Sequence, residues 1–147
     1  MIGFNHALVG ALIGKVLPLP LALPVAIASH FVLDALPHYG LPHKQRDRSK
    51  VWKIVFTIDF FATAALIIPA VATHHYAMLA CGVAAVLPDF VWVGKFIKNK
   101  SFDMSNTGNW YTKWHAGIQH YERPWGVWVE LSLVCVLSYV FYVALQN

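Results

Sequence analysis

Five apolar stretches, parted by short polar or proline-broken connections, take up most of this 147-residue chain and constrain it more than any other feature. They run from about Phe4 to Leu17, Leu19 to Leu36, Val51 to about Thr73, Tyr76 to Ile97, and Pro124 to about Gln146. Such lengths suit a hydrocarbon layer about 30 Å thick. The first, at roughly fourteen residues, is short for a full span and reads as a helix buried among the others. Only 12% of the residues are charged, against roughly a quarter in a soluble domain. The expectation is one all-α domain over residues 1–147. It is a polytopic integral membrane helical bundle of about five membrane-embedded helices, with a short amphipathic interfacial helix at Trp110–Gly126.

Charge places the loops. Lys44, Arg46, Arg48 and Lys50 crowd the segment His38–Lys50, and Lys95, Lys98 and Lys100 open a second polar loop, Lys95–Asn109, which reads as a lid. By the positive-inside rule both loops and the N-terminus face the cytoplasm, as in a bacterial-type inner membrane. A net charge of +4, scattered among such loops, gives no reason to expect nucleic acid. Cys81 and Cys135 lie far apart inside apolar runs and read as small buried side chains. No basic leader precedes the first apolar stretch, which itself carries His6, so no cleavable signal is expected.

Within this apolar background a few polar residues need a reason. His6, Gly10 and Gly14 recur every four residues and share one helical stripe, where the glycines let another helix approach closely. The segment SHFVLDALPHYG (Ser29–Gly40) places His30 and Asp34 one turn apart on one face, and Pro37 then stops the helix beside His38. VLPDF (Val86–Phe90) echoes ALPHY (Ala35–Tyr39), as in a degenerate repeat that sets Asp89 against His38. Asp59 and Glu130 are acids inside apolar helices, and such residues ordinarily face the bundle interior. On the amphipathic piece His115 and Gln119 share a face, while His120 points roughly 140° away from His115.

With alternating spans these groups fall at one depth, near the cytoplasmic side. Imidazoles and carboxylates without thiolate suit zinc, and also manganese or iron. His6, His30, Asp34, Asp89 and His115 are therefore the expected metal ligands, more than one open zinc needs. His38, Gln119 and His120 are expected behind the ligands or against a substrate, and Asp59 or Glu130 as general base. The same residues also allow two rival readings. One is a non-catalytic scaffold or structural metal protein with a buried polar network. The other is an ion carrier, which the acid-free outer halves of the spans disfavour. The oligomeric state stays open.

HALVG (His6–Gly10), SHFVLDALPH (Ser29–His38), LPD (Leu87–Asp89) and HAGIQ (His115–Gln119) resemble a family of small prokaryotic membrane-bound metal-dependent hydrolases. That family is distantly similar to zinc-dependent phospholipase C and single-strand nucleases. The resemblance implies a divalent metal held by His and Asp, and a phosphoester of a lipid or lipid-linked molecule as substrate. Family members often carry a second acid or histidine after LPD, whereas here Phe90, Val91 and Trp92 follow Asp89. That departure argues against a second metal.

Overall fold

The structure is a computed structural model that describes residues 1–101 and 109–146. It is a helical bundle whose packing starts from the smallest side chains. The first helix, α1 (Gly3–Val16), runs to a break at Leu17 and Pro18, and α2 (Leu19–Asp34) follows with Pro20 in its first turn. A two-residue strand, β1 (His38–Tyr39), and a single helical turn, α3 (His43–Arg46), lead to α4 (Lys50–Ala65), which is capped by the Ser49 side chain on Trp52 N–H. Then come α5 (Ile67–Ala72), α6 (Tyr76–Val86), a 3₁₀ turn (Leu87–Asp89) and α7 (Phe90–Asn99). The chain closes with α8 (Trp110–Ile118), strand β2 (Glu122–Arg123) parallel to β1, a 3₁₀ turn (Pro124–Gly126) and α9 (Val127–Gln146).

The centre of the bundle is the contact of α1 with α6, joined by α2. A Cβ added at Gly10 would stand 2.4 Å from the Cys81 carbonyl oxygen, and one at Gly14 would stand 2.4 Å from that of Ala77. The glycine stripe thus lets two helix backbones touch, as expected from its spacing. Ala22 and Ala26 of α2 complete the seam against Cys81, Ala84 and Ala85. On the other side of α1, Leu8 and Ala11 pack with Met78 and Phe141.

Among the described residues three helices are long and apolar enough to cross a membrane: Lys50–Ala72, Tyr76–Asn99 and Pro124–Gln146. Their mean hydropathies are 2.2, 1.8 and 2.0. Of an 18-residue apolar stretch in each, only 6% in the first and 11% in the last is buried inside the protein, so their apolar side chains face outward. Ile58, Phe61, Ile68 and Val136 are among the exposed ones, an arrangement suited to lipid and not to water. Leu19–Asp34 is apolar but shorter, and α1 has 14 residues. The part of the loop read as a lid that covers residues 102–108 lies outside the described residues.

Candidate metal centre

The polar residues gather where α1 begins and where α2 and α6 end. His30 and Asp34 share a face of the last turns of α2, both fully buried. After α6, Pro88 has no N–H to continue the helical ladder, and the chain tightens into the 3₁₀ turn that carries Asp89. Opposite them, Asn109 caps α8 by accepting from Thr112 N–H at 2.9 Å, and this helix delivers His115, also fully buried.

These four residues form one group. Each offers a donor atom, and all four atoms lie within 4.8 Å of one another, so the group can hold a metal ion. His30 Nε2 is 3.1 Å from His115 Nε2 and 3.2 Å from Asp34 Oδ2, and His115 Nε2 is 3.0 Å from that same oxygen. Asp89 Oδ1 stands 3.6 Å from His30 Nε2 and 3.8 Å from His115 Nε2. A tetrahedral zinc with bonds of about 2.0–2.2 Å sets its ligand atoms about 3.3–3.6 Å apart. The five separations given above, 3.0–3.8 Å, lie on either side of that range, and all six stay within 4.8 Å.

Proton positions point the same way. The Ala85 carbonyl only accepts, so it fixes a proton on His30 Nδ1, 2.8 Å away. In the neutral ring the Nε2 lone pair is then left facing Asp34, Asp89 and His115, where there is nothing for it to accept from except the His115 ring. A cation at the centre of the four relieves that opposition, as does a second proton on His30 that Nε2 donates to Asp34 Oδ2, 3.2 Å away. A backbone carbonyl behind a ligand histidine is also the usual way its metal-facing nitrogen is selected. His115 Nδ1 is buried without a partner among the described residues, so nothing comparable orients that ring from behind.

Asp34 is held from several directions. His6 Nε2–H donates to Oδ1 at 3.1 Å, Gln119 donates to Oδ2 at 3.0 Å, and the Met1 amino group also meets Oδ1. The His6 ring stacks on His30 with centroids 4.0 Å apart. His6 and Gln119 thus stand behind the cluster and are not among its four donors. His38 is buried but turned away: its Nδ1–H donates to the Leu36 carbonyl at 2.7 Å, and Nε2 stands 3.8 Å from Glu122. His120 is exposed against Tyr121 and takes no part.

The structure places Asp59 and Glu130, read from the sequence as general-base candidates, at the start of α1 and outside the cluster. Asp59 accepts from the N–H groups of Gly3 and Phe4 at 2.9 and 2.8 Å. Glu130 accepts from Ile2 N–H at 3.0 Å and from the Asn5 amide at 2.7 Å. A helix start buried in a bundle leaves N–H groups without partners, and carboxylates satisfy both those groups and the helix dipole. Acids within α4 and α9 are accounted for by this demand.

The sequence reading missed Glu122 and the burial of Arg46. Arg46 was counted with its loop as a topological charge, yet only 7% of it is exposed. Its Nη2 donates to Glu122 Oε2 at 2.6 Å, its Nε to the Leu41 carbonyl at 2.9 Å, and its guanidinium lies 4.6 Å from the Trp52 ring centre. Burial acts to raise the Glu122 carboxyl, but His38 and the Arg46 guanidinium outweigh it and hold the group below its ordinary range. An acid inside an aromatic, amphipathic stretch was the available signal. Its partner, 76 residues away, was not.

A cavity of about 450 Å³ adjoins the cluster and reaches Asp89 and Gln119. Asp89 is the one ligand candidate with a partly open side chain, 25% exposed, while those of the other three are 0% exposed. No family model, curated protein or solved structure matches the chain.

Proposed function

We propose that this protein is a membrane-embedded, metal-dependent hydrolase acting on a phosphoester of a lipid or lipid-linked molecule. His30, Asp34, Asp89 and His115 are its metal ligands. The observation that carries the reading is that the four donor atoms lie within 4.8 Å of one another, close enough for small side-chain shifts to bring them onto one tetrahedral ion. Two imidazoles, two carboxylates and no thiolate favour zinc, with manganese or iron as alternatives. A divalent cation with an exchangeable position supplies an activated water near neutral pH and polarises a phosphoryl oxygen. Asp89, open to the cavity, is the ligand positioned to yield that place to substrate. His6 and Gln119 hold Asp34 in register, and the Glu122–Arg46 pair borders the entrance. In this reading α1 and α2 join the three longer helices in the membrane, α8 lies at its surface, and the basic loops and N-terminus face the cytoplasm.

Elemental mass spectrometry of detergent-purified protein tests the site. One equivalent of zinc, manganese or iron is expected in the wild type, falling below about a tenth in His30→Ala and His115→Ala. Release of phosphate or phosphoalcohol from phospholipid substrates by the loaded protein, lost in the same variants, tests the activity. Metal-free but folded wild type overturns the metal site, and with it the hydrolase. The partnerless His115 Nδ1 and the donors closing on Asp34 favour a second reading, a non-catalytic protein with a buried polar network. Folded protein with no metal supports that second reading.

A further inference from the structure

The cavity beside Asp89 is long and mostly apolar, interrupted by Asp59 and Thr63 on the α4 wall, and gathers further polar groups at one end. Its walls come from α4–α5 on one side and α6–α7 on the other, with Phe56 and Ala64 facing Val83 and Met78 over a floor of Ala7 and Ala11. From Trp52 to Ala70, both on its wall, the helical rise spans about 27 Å, close to the thickness of a hydrocarbon layer. The polar end is built differently. Arg46, Trp52, Trp92 and Gln119 line it together with Asp89. Trp52 Nε1 and Trp92 Nε1 are buried there with no hydrogen-bond partner among the described residues, and so is Lys95 Nζ, which lies beside Trp92 rather than on the cavity wall. The Lys95 ammonium lies 5.2 Å from the Trp92 ring centre, and that ring lies 5.5 Å from His115. Three orphaned buried groups, all donors, require an acceptor.

We propose that this groove holds the hydrocarbon chain of an anionic phospholipid whose headgroup sits among Trp52, Trp92 and Lys95, beside Asp89. This names the substrate class of the hydrolase site and to that extent rests on the reading above. A chain gains little by leaving bilayer hydrocarbon for an apolar groove, because both surroundings are equally apolar. Selectivity therefore falls to the polar end, where a phosphate oxygen meets an ammonium and two indole N–H groups. The Glu122 carboxylate in the same wall is already engaged by Arg46, so it does not repel the headgroup outright.

Native mass spectrometry of the detergent-purified protein, titrated with dioleoyl phosphatidic acid or dioleoyl phosphatidylcholine, tests this. Phosphatidic acid is expected to form a one-to-one adduct about tenfold tighter than phosphatidylcholine. Ala64→Trp on α4 and Val83→Trp on α6 fill the groove from opposite walls and should each abolish the adduct. Ile58→Trp, on the outward face of α4, should leave it unchanged. Lys95→Met should erase the preference for phosphatidic acid. Adducts that survive both groove-filling changes overturn the proposal, as does displacement by equal inorganic phosphate, which would mark a free-phosphate site. Metal content measured on the same samples separates the two readings. Wild type that holds metal but no lipid ends the groove proposal alone. Wild type that holds lipid but no metal ends the hydrolase and leaves the groove. Metal retained in a Trp variant shows that it has folded.

Discussion

Helix α6 is packed by opposite rules on its two sides. Toward α1 and α2 it presents Ala77, Cys81, Ala84 and Ala85, and the facing glycines and alanines bring backbone against backbone. Toward α4 and α5 it presents Val83 and Leu79 to a cavity of about 450 Å³. The close seam leads directly to the cluster: Ala85, which packs in it, also receives the His30 proton through its carbonyl. Ligand atoms that must sit within a few tenths of an ångström need supports that cannot shift, and interiors packed to this density transmit displacement without absorbing it. Of the four candidate ligands among the described residues, the open side carries only Asp89, at its edge. One helix thus divides a part that must not move from a part that has room for something else.

The largest effect should come from removing the anchor of the close side. Asp34→Ala leaves His6, His115 and Gln119 without their common acceptor, and losing one partner of a buried ionic network costs about 3–5 kcal/mol. Thermal unfolding in detergent should drop by many degrees, and metal content should fall to background. An unchanged melting temperature would mean that Asp34 does not hold this end of the bundle together. Gly10→Ala comes next. A single methyl, placed 2.4 Å from a backbone oxygen, forces the α1–α6 seam apart, and overpacking of this kind costs about 1–3 kcal/mol. A neutral Gly10→Ala would show that the seam yields, and the division between the two sides would lose its basis.

How much of this could be read in the chain depends on how local each cause is. Apolar run length is local, and it gave the long helices. The His6–Gly10–Gly14 stripe is a four-residue period on one helix, so close approach followed, although the helix that approaches did not. His30 with Asp34 was legible for the same reason, one turn of α2, and Leu87–Asp89 because proline leaves few options. The convergence on Asp34 was not legible as contacts, since its partners lie 28 to 85 residues away and no period links them. Asp59 and Glu130 show a subtler limit. An acid in an apolar helix announces that it will find donors, but side-chain chemistry alone does not say that those donors are the free N–H groups of another helix's first turn. Arg46 shows the converse, a loop charge that looks like a topological signal until Glu122 arrives from the far end of the chain.

A smaller effect belongs to the Arg46–Glu122 pair, which closes the polar end between the two sides. Because Glu122 is held below its ordinary value of 4.5, its ionised form adds stability that is fully present above that pH. That contribution is lost as the pH falls through the lower value of the folded state. Glu122→Gln removes it. The variant should be less stable than wild type by about 1 kcal/mol at pH 7, a modest figure for a pair still partly open to solvent. Melting curves of the two proteins should converge as the pH drops below 4.5. A difference that persists unchanged into acid would assign the effect to packing.

The smallest expected effect is the most informative, because it probes the face of α6 opposite the one that Gly10 of α1 packs against. Val83→Trp adds far more volume than one methyl, yet Val83 borders the cavity and is 45% exposed, so the ring has somewhere to go. Its cost in detergent should stay within about 0.5 kcal/mol, as for a substitution at an open surface. Metal content should be unaffected, since the side of α6 that supports His30 is untouched. If Val83→Trp instead destabilises the protein as much as Gly10→Ala does, α4 closes on α6 in the purified protein and the cavity is not open. If it is tolerated while Gly10→Ala is not, rigidity and room are properties of the two faces of α6, independent of how bulky the new side chain is.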